Sequence, residues 1–415
     1  MPWTETCAVE QRIAFIRDVL RGEISKAELC RRYGISRPTG DKWLGRFEEQ
    51  GLDGMEDLPS VPRCHPNQVD EQRALMVLSL RRAHMTWGPR KLKAYLERRY
   101  PEMVWPATST FGEILRRHGM AASRRRCQRT PPYTQPFAGC GEPNSLWCAD
   151  FKGNFRTQDG IRCYPLTITD AFSRYLLKCQ GMKKAWTTPA KAVFDAAVRE
   201  YGLPLAIRTD NGAPFASKAV GGLSRLSVWW LKMGILPERI EPGEPQQNGR
   251  HERMHLTLKQ ETASPPQATP RAQQRRFDAF RQEFNQQRPH EALAQRTPAD
   301  LYQASVRPYP NRPREPEYSD NMLVRYVRIN GEIKWHSRRI YLGELLAGEN
   351  VGLWPITDGY WVVYFFDLPL CVLDERRRKM WHLDKALRRP WWPESLVLPS
   401  PSAALQGLGK TLSCK

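Results

Sequence analysis

The sequence predicts a chain of several domains: an all-α N-terminal part, a central α/β core and a small all-β C-terminal module. Three observations carry this. Apolar residues recur at helical spacing through the first 120 positions. From Asn144 the pattern switches to short β-rich runs that then alternate with helices. From Leu323 it switches again, to closely spaced strands joined by turn residues. At 415 residues the chain exceeds one ordinary core.

Residues 1–58 read as one helical module. Val9, Ile13, Ile16 and Leu20 form the first apolar stripe. Ser25 caps a second helix carrying Ala27, Leu29, Cys30 and Tyr33. After a turn at Gly34-Ile35, Ser36 caps a third with Trp43, Leu44 and Phe47 inward. Helix, short glycine turn, helix is the helix-turn-helix pattern, and it exposes Arg37 and Lys42 on the third helix as candidate DNA contacts; a plain three-helix bundle is the bland alternative. A linker rich in proline and glycine leads to a second such module at 66–120. It has helices over Val69–Ala83 and from Trp87-Gly88-Pro89 onward, and a third capped by Ser109 or Thr110 and running to His118. Between Glu113 and Glu142 there is no acidic residue, and Arg124, Arg125 and Arg126 fall in that interval. Residues 121–143 are therefore a basic linker suited to tracking phosphates.

Residues 144–304 form the core. Three β-rich runs, Leu146–Phe155, Arg162–Ala171 and Arg174–Gly181, come in quick succession. Helix Pro189–Tyr201, strand Leu205–Thr209, helix Ala216–Met233, strand Ile235–Ile240, a helix from about Arg250 and a last helix Arg271–Gln287 follow. That order is the one expected of an RNase H-like α/β core. A proline-rich linker (305–321) leads to residues 322–384, where Asn330-Gly331 is a strong hairpin signal and a small five-stranded β-barrel is expected. Residues 385–415 read as a tail.

Lysine and arginine outnumber acids 64 to 44, a formal net charge of +20 at pH 7, and clustered arginine suits a polyanionic partner. Ten cysteines are scattered without a C-x-x-C pair, which argues against a zinc knuckle or a disulfide framework and for a reducing, cytoplasmic compartment. No apolar run reaches transmembrane length and the first residues are no signal peptide, so no membrane association is expected.

Chemistry concentrates in three stretches. Leu146-Trp-Cys-Ala-Asp150 and Ala206-Ile-Arg-Thr-Asp210-Asn211-Gly212 are short apolar strands that each deliver an aspartate near the end. The third, Pro245-Gln-Gln-Asn248-Gly249-Arg-His-Glu252, opens a helix with a glutamate in its first turn and Lys259 two turns on, near the same face. Asp170 also ends a β run, but Ala171-Phe-Ser-Arg after it makes turn capping its expected task. His251-Glu252-Arg253-Met254-His255 is moreover a literal H-E-x-x-H, the zinc metalloprotease motif, with two imidazoles as ligands and a general base between. No Gly-x-x-His follows, and that reading leaves Asp150, Asp210 and the positive charge without a purpose.

Taken together, Trp147-x-x-Asp150, Thr209-Asp210-Asn211-Gly212-x-x-Phe215-x-Ser217 and Pro245-x-Gln247-Asn248-Gly249-x-x-Glu252 resemble the integrase-core transposases of insertion sequences, relatives of retroviral integrases. Arg288-Pro289-His290-Glu291 and Thr297-Pro298-Ala299 resemble the end of that family's core. One departure is that Glu252 follows Asp210 by 42 positions, more than is typical of the retroviral members, with the extra length around Gly221 to Trp230. The resemblance implies a DDE transposase in which Asp150, Asp210 and Glu252 hold two Mg²⁺ ions, replaceable by Mn²⁺, with Asp150 bridging them. Three hard oxygen donors meet what magnesium asks of a protein. It further implies 3′-end cleavage and strand transfer on double-stranded DNA, both the element's terminal repeats and the target, by a homo-oligomer (dimer or tetramer) on paired ends. Asn248 and Lys259 would contact DNA and the C-terminal barrel would touch it too. The cytoplasm, at the nucleoid, is the expected location. On that reading His251 and His255 face DNA or pack. The alternative of another class is a catalytically idle DNA-binding regulator derived from such an enzyme.

Overall fold

The computed structural model describes residues 7–57, 69–121, 140–217, 219–240 and 249–393. They divide into two compact units, residues 1–69 and 70–415.

In the first unit, α1 (Ala8–Arg21), α2 (Lys26–Arg32) and α3 (Arg37–Gln50) enclose Phe15, Ile16, Leu29, Cys30, Trp43 and Met55. The Ser25 and Ser36 hydroxyls accept from the backbone N–H of Glu28 and Thr39, the caps expected of them. Arg37 and Lys42 are both exposed, and the Lys42 ammonium lies 5.1 Å from the Trp43 ring centroid.

The second unit opens with α4 (Glu71–Ala83), α5 (Pro89–Arg99) and α6 (Thr108–Arg117). Helix α6 starts at Thr108 behind Ala107, one residue ahead of the serine that seemed fit to cap it, and carries no side-chain cap. This module is fastened to the core that follows it. Arg98 makes a two-pronged pair with Asp300 (2.7 and 2.9 Å), Arg90 pairs with Glu291, and His84 Nδ1 lies 3.1 Å from Glu283. Beneath them Arg288 and Glu261 form a pair at 2.7 Å with side chains only 5% and 13% exposed.

The core is a six-stranded mixed sheet. Strands β1 (Leu146–Phe151), β2 (Phe155–Arg156), β3 (Arg162–Asp170) and β4 (Leu176–Met182) come first, then α7 (Thr187–Tyr201), β5 (Ala206–Thr209), α8 (Arg225–Lys232), β6 (Leu236–Arg239), α9 (Gly249–Thr262) and α10 (Pro270–Gln286). The strand order is β2-β3-β1-β5-β6, with β4 on β3; β1 runs antiparallel to β3 and parallel to β5, and β5 parallel to β6. Alternation along β1 sends Trp147 and Ala149 into a cluster with Phe194 on α7 and Trp230 on α8. On α9 and α10, Met254, Leu258, Phe277, Phe280 and Phe284 pack with Cys163, Leu176 and Cys179.

One long helix over Ala216–Met233 does not form. Gly221 and Gly222 adopt φ of +62° and +67°, a left-handed kink that a helix cannot continue through, and Ser224 recaps the chain so that α8 begins only at Arg225. The proline-rich stretch after the core is strapped onto it: the Arg307 guanidinium donates to the carbonyls of Pro204 and Gly234, and Tyr309 donates to Asp195.

The C-terminal part contains β7 (Leu323–Tyr326), β8 (Glu332–Trp335), β9 (Arg338–Tyr341), β10 (Asn350–Thr357), β11 (Tyr360–Phe365), β12 (Leu368–Asp374), β13 (Lys379–His382) and α11 (Leu383–Ala386). No closed barrel results. The sheet runs β13-β12-β11-β10-β7 with both four-residue end strands unpaired to each other, while β8 and β9 form a separate hairpin. The turn at Asn330-Gly331 is present, but β7 pairs with β10 and reaches the hairpin only through a Val327–Ile333 bridge. The expected tail starts with packed residues: Ala386 is fully buried and Trp391 stacks on Tyr360 at 3.9 Å. No helix among the described residues is long and apolar enough to cross a membrane.

Candidate active site

The parallel register between β1 and β5 pairs Cys148 with Arg208, which places Asp150 and Asp210 side by side just beyond, at the carboxyl ends of neighbouring strands. Ligands of open α/β sheets gather at that edge. Asp150 is three-quarters buried on its side chain, and burial together with the charges of Asp210 and Glu252 pushes its carboxyl up to about 7. Asp210 is raised as well, by burial, against a hydrogen bond from the Gly212 backbone.

The residues after Asp210 explain their own pattern. Gly212 lies so close under the carboxylate that a Cβ there would meet Asp210 Oδ2 at 2.9 Å. Asn211 Nδ2 donates to the Ile240 carbonyl (2.9 Å), tying the ends of β5 and β6 together. Phe215 is buried against Phe151 and Phe194. Asp210 Oδ1 is buried with no hydrogen-bond partner among the described residues, a costly condition for a carboxylate oxygen that a cation would relieve. In that respect the residues present fit a divalent ion. Among the described residues no three carboxylate, histidine or cysteine side chains stand close enough together to enclose one.

Helix α9 carries Glu252, the third acid expected from the sequence. Its inward face is His251, Met254, His255 and Leu258, all buried; its outward face carries Glu252, in the first turn, and Lys259, both exposed. Among the described residues the two histidines have no third His, Cys, Asp or Glu placed with them to hold a metal, and threonines engage them instead. Both Nε2 atoms lie 2.7 Å from the Thr167 hydroxyl, and His251 Nδ1 lies 3.0 Å from Thr169 Oγ1, so three of the four ring nitrogens are engaged by β3. Burial pushes His251 down to about 3 and His255 to about 2, so both rings are neutral. Both are buried and pack, forming the polar seam that seats α9 on the sheet. Sequence reasoning did not find Thr167 and Thr169, although their spacing puts both hydroxyls on one face of β3.

Asp170 stays out of this group. It is 1% exposed and accepts from the backbone N–H of Asn144 and Ser173 (2.7 Å each) and from the Ser173 hydroxyl (2.6 Å), the turn-capping task expected of it. Asn248, Arg124, Arg125 and Arg126 lie outside the described residues.

Comparison with known proteins finds the core and the helical modules in family models. Two models described as Integrase core domain match residues 141–245 and 233–298; a Helix-turn-helix domain model matches 11–63 and a Homeodomain-like domain model 39–115. An insertion element IS407 protein of 31.7 kDa from Burkholderia multivorans is 29% identical over 57% of this chain and 82% of its own length. An insertion element IS476 protein of 39.2 kDa from Xanthomonas euvesicatoria is 26% identical over 66% of this chain and 76% of its own. Among solved structures, the HTLV-2 integrase catalytic core domain in complex with magnesium is similar at 18% identity and a TM-score of 0.32, over 39% of this chain and 99% of that one.

Proposed function

The chain is a member of the integrase-core transposase family of insertion elements, related to the retroviral integrases, and on that premise we propose that it cuts the 3′ ends of its own element and joins them to target DNA. The observation that carries this reading is the β1–β5 register that sets Asp150 beside Asp210 at adjacent strand ends, one pushed up to about 7 and the other holding a buried oxygen without a partner among the described residues. Carboxylates kept so close and so dry oppose folding unless a cation neutralises them.

Asp150, Asp210 and Glu252 are the residues that would hold two Mg²⁺ ions, or Mn²⁺ in their place. Bound there, the metal would activate the attacking oxygen and stabilise the departing one. The protein's own part is to present oxygen ligands from a rigid sheet edge, to keep the phosphodiester in line, and to bind the duplex on either side. Lys259, on the exposed face of α9 with Glu252, contacts DNA beside the scissile bond, as does Asn248. Arg37 and Lys42, with the arginines at 124–126, bind the element's ends. Water and then a 3′-hydroxyl serve as nucleophiles, so no covalent enzyme intermediate is needed. Two ends must be held at once, which calls for a homo-oligomer acting in the cytoplasm, at the nucleoid.

The test is to incubate the purified protein with its flanking genomic DNA and Mg²⁺. Nicked 3′ ends and joined products are expected. Asp150→Asn and Glu252→Gln should each abolish joining while still shifting end DNA in a gel; joining by either variant at the native rate would overturn the assignment.

A further inference from the structure

The H-E-x-x-H histidines are left without a task in the metal-ion chemistry, yet they sit at its edge. Thr167 is the residue opposite Asp150 in the β1–β3 ladder, and its hydroxyl touches both imidazoles at 2.7 Å and the Asp150 carbonyl at 3.2 Å. His251 Nδ1 meets Thr169 Oγ1 at 3.0 Å, and His255 Nδ1 faces Asp150 Oδ2 at 3.6 Å. Thr167, Thr169, His251 and His255 are 0%, 8%, 2% and 2% exposed, so their hydrogens must be matched by one another or by the β1 carbonyls beside them.

Counting hydrogens fixes the direction of the chain. A hydroxyl has one proton, so Thr167 donates to at most one of the two rings, and the other ring must donate to it. Holding a cation requires Asp150 to be ionised, and with that carboxylate a His255 protonated on Nε2 would set its bare Nδ1 lone pair against the anion in a dry site. The arrangement without that conflict has Thr169 donating to His251 Nδ1 rather than to the more distant Cys148 carbonyl, His251 Nε2–H to Thr167, and Thr167 to His255 Nε2 at 2.7 Å rather than to the Asp150 carbonyl at 3.2 Å. That leaves His255 Nδ1–H pointing at Asp150. At 3.6 Å this last pair is just beyond bonding length, and a swing of the carboxylate by about 1 Å closes it.

We infer that His255 is a positioning residue for Asp150: the Thr169–His251–Thr167 chain fixes its tautomer so that Nδ1–H holds one carboxylate oxygen and turns the other toward the divalent cation. This rests on the reading of Asp150 as a metal-holding residue. Outer partners of this kind typically alter metal affinity about 10–100-fold.

The test uses the full chain without DNA, titrated with Mn²⁺ and followed by the signal of the free ion. His255→Asn keeps an N–H where Nδ1 was, His255→Met fills the space with no donor, and Thr167→Val keeps the shape of the threonine but loses the hydroxyl. Expected are a loss of affinity of about 10-fold or more for His255→Met, a smaller loss for Thr167→Val, and His255→Asn within about 3-fold of native. Native affinity in both His255→Met and Thr167→Val would overturn the inference, as would equal losses for His255→Met and His255→Asn, which would mean packing alone. Should His255→Met fail to fold, by circular dichroism, Thr167→Val and His255→Asn decide. Asp150→Asn separates the two levels: if it binds Mn²⁺ like the native protein, the metal-site reading itself fails, whereas its loss beside native binding in the other variants removes only the role of His255.

Discussion

Replacing Asp150 by asparagine should stabilise the metal-free core, and do so more at pH 8 than at pH 5. The native carboxyl is pushed up to about 7 from an ordinary 3.8, chiefly by burial and next by Asp210. Below 3.8 the group is protonated in both folded and unfolded chains and costs nothing. As pH rises from there toward 7 the unfolded chain has released a proton that the folded one retains, so stability falls; above 7 the cost is complete. Three pH units at about 1.4 kcal/mol each set a ceiling of about 4 kcal/mol. With the side chain still 22% exposed to screening water, about 1–2 kcal/mol is the reasonable expectation. For a core of this size that raises the melting temperature by about 2–6 °C at pH 8, with most of the difference gone by pH 5. Adding Mg²⁺ should raise the native melting point and close the gap, because the ion binds the folded form. Differential scanning calorimetry at the two pH values, with and without Mg²⁺, measures all of this. An asparagine variant less stable than native at pH 8, or an advantage that does not shrink at pH 5, would refute the reasoning.

The remaining expectations can be checked separately. A fragment of residues 1–120 should footprint the element's ends, with affinity falling steeply as salt rises, since lysine and arginine displace counterions from phosphate; equal binding to unrelated duplex would remove sequence recognition from these modules. Protein purified without added metal should contain no stoichiometric zinc, measured by mass spectrometry of the metal, because three of the four ring nitrogens of His251 and His255 are already bonded to threonines. Arg288→Met should destabilise the fold by about 3 kcal/mol, leaving the Glu261 carboxylate buried without its cationic partner; because Thr86 of the second helical module bonds to both residues, limited proteolysis should then cut faster between 83 and 89.

The fold was legible where a local signal set it. Ser25 and Ser36 announced α2 and α3, and the apolar runs ending in Asp150 and Asp210 marked two strands whose parallel pairing follows from the helix between them. Where the structure departs, the deciding contact is distant in sequence. Gly221-Gly222 kinks what looks like one helix, with the Leu370 side chain packed where a Cβ at 221 would stand. The run 324–329 looks ready to form a hairpin across Asn330-Gly331, but its first half pairs with β10, farther along the chain, and the sheet stays open. In the site, the acids show in the sequence because each sits inside a recognisable turn or helix start. Thr167 and Thr169 do not, because alternating threonines are ordinary strand residues until α9 lays two imidazoles across them.

The central claim is tested most directly at Asp210. A labelled duplex carrying the element's end is incubated with Mg²⁺ and either the native protein or Asp210→Asn, and 3′ nicking and joining to target DNA are read on one gel. The native protein should give both products, none in the presence of a chelator, and Asp210→Asn should retard the duplex normally yet give products at least about 10³-fold more slowly. Native-rate cleavage and joining by Asp210→Asn would contradict the account.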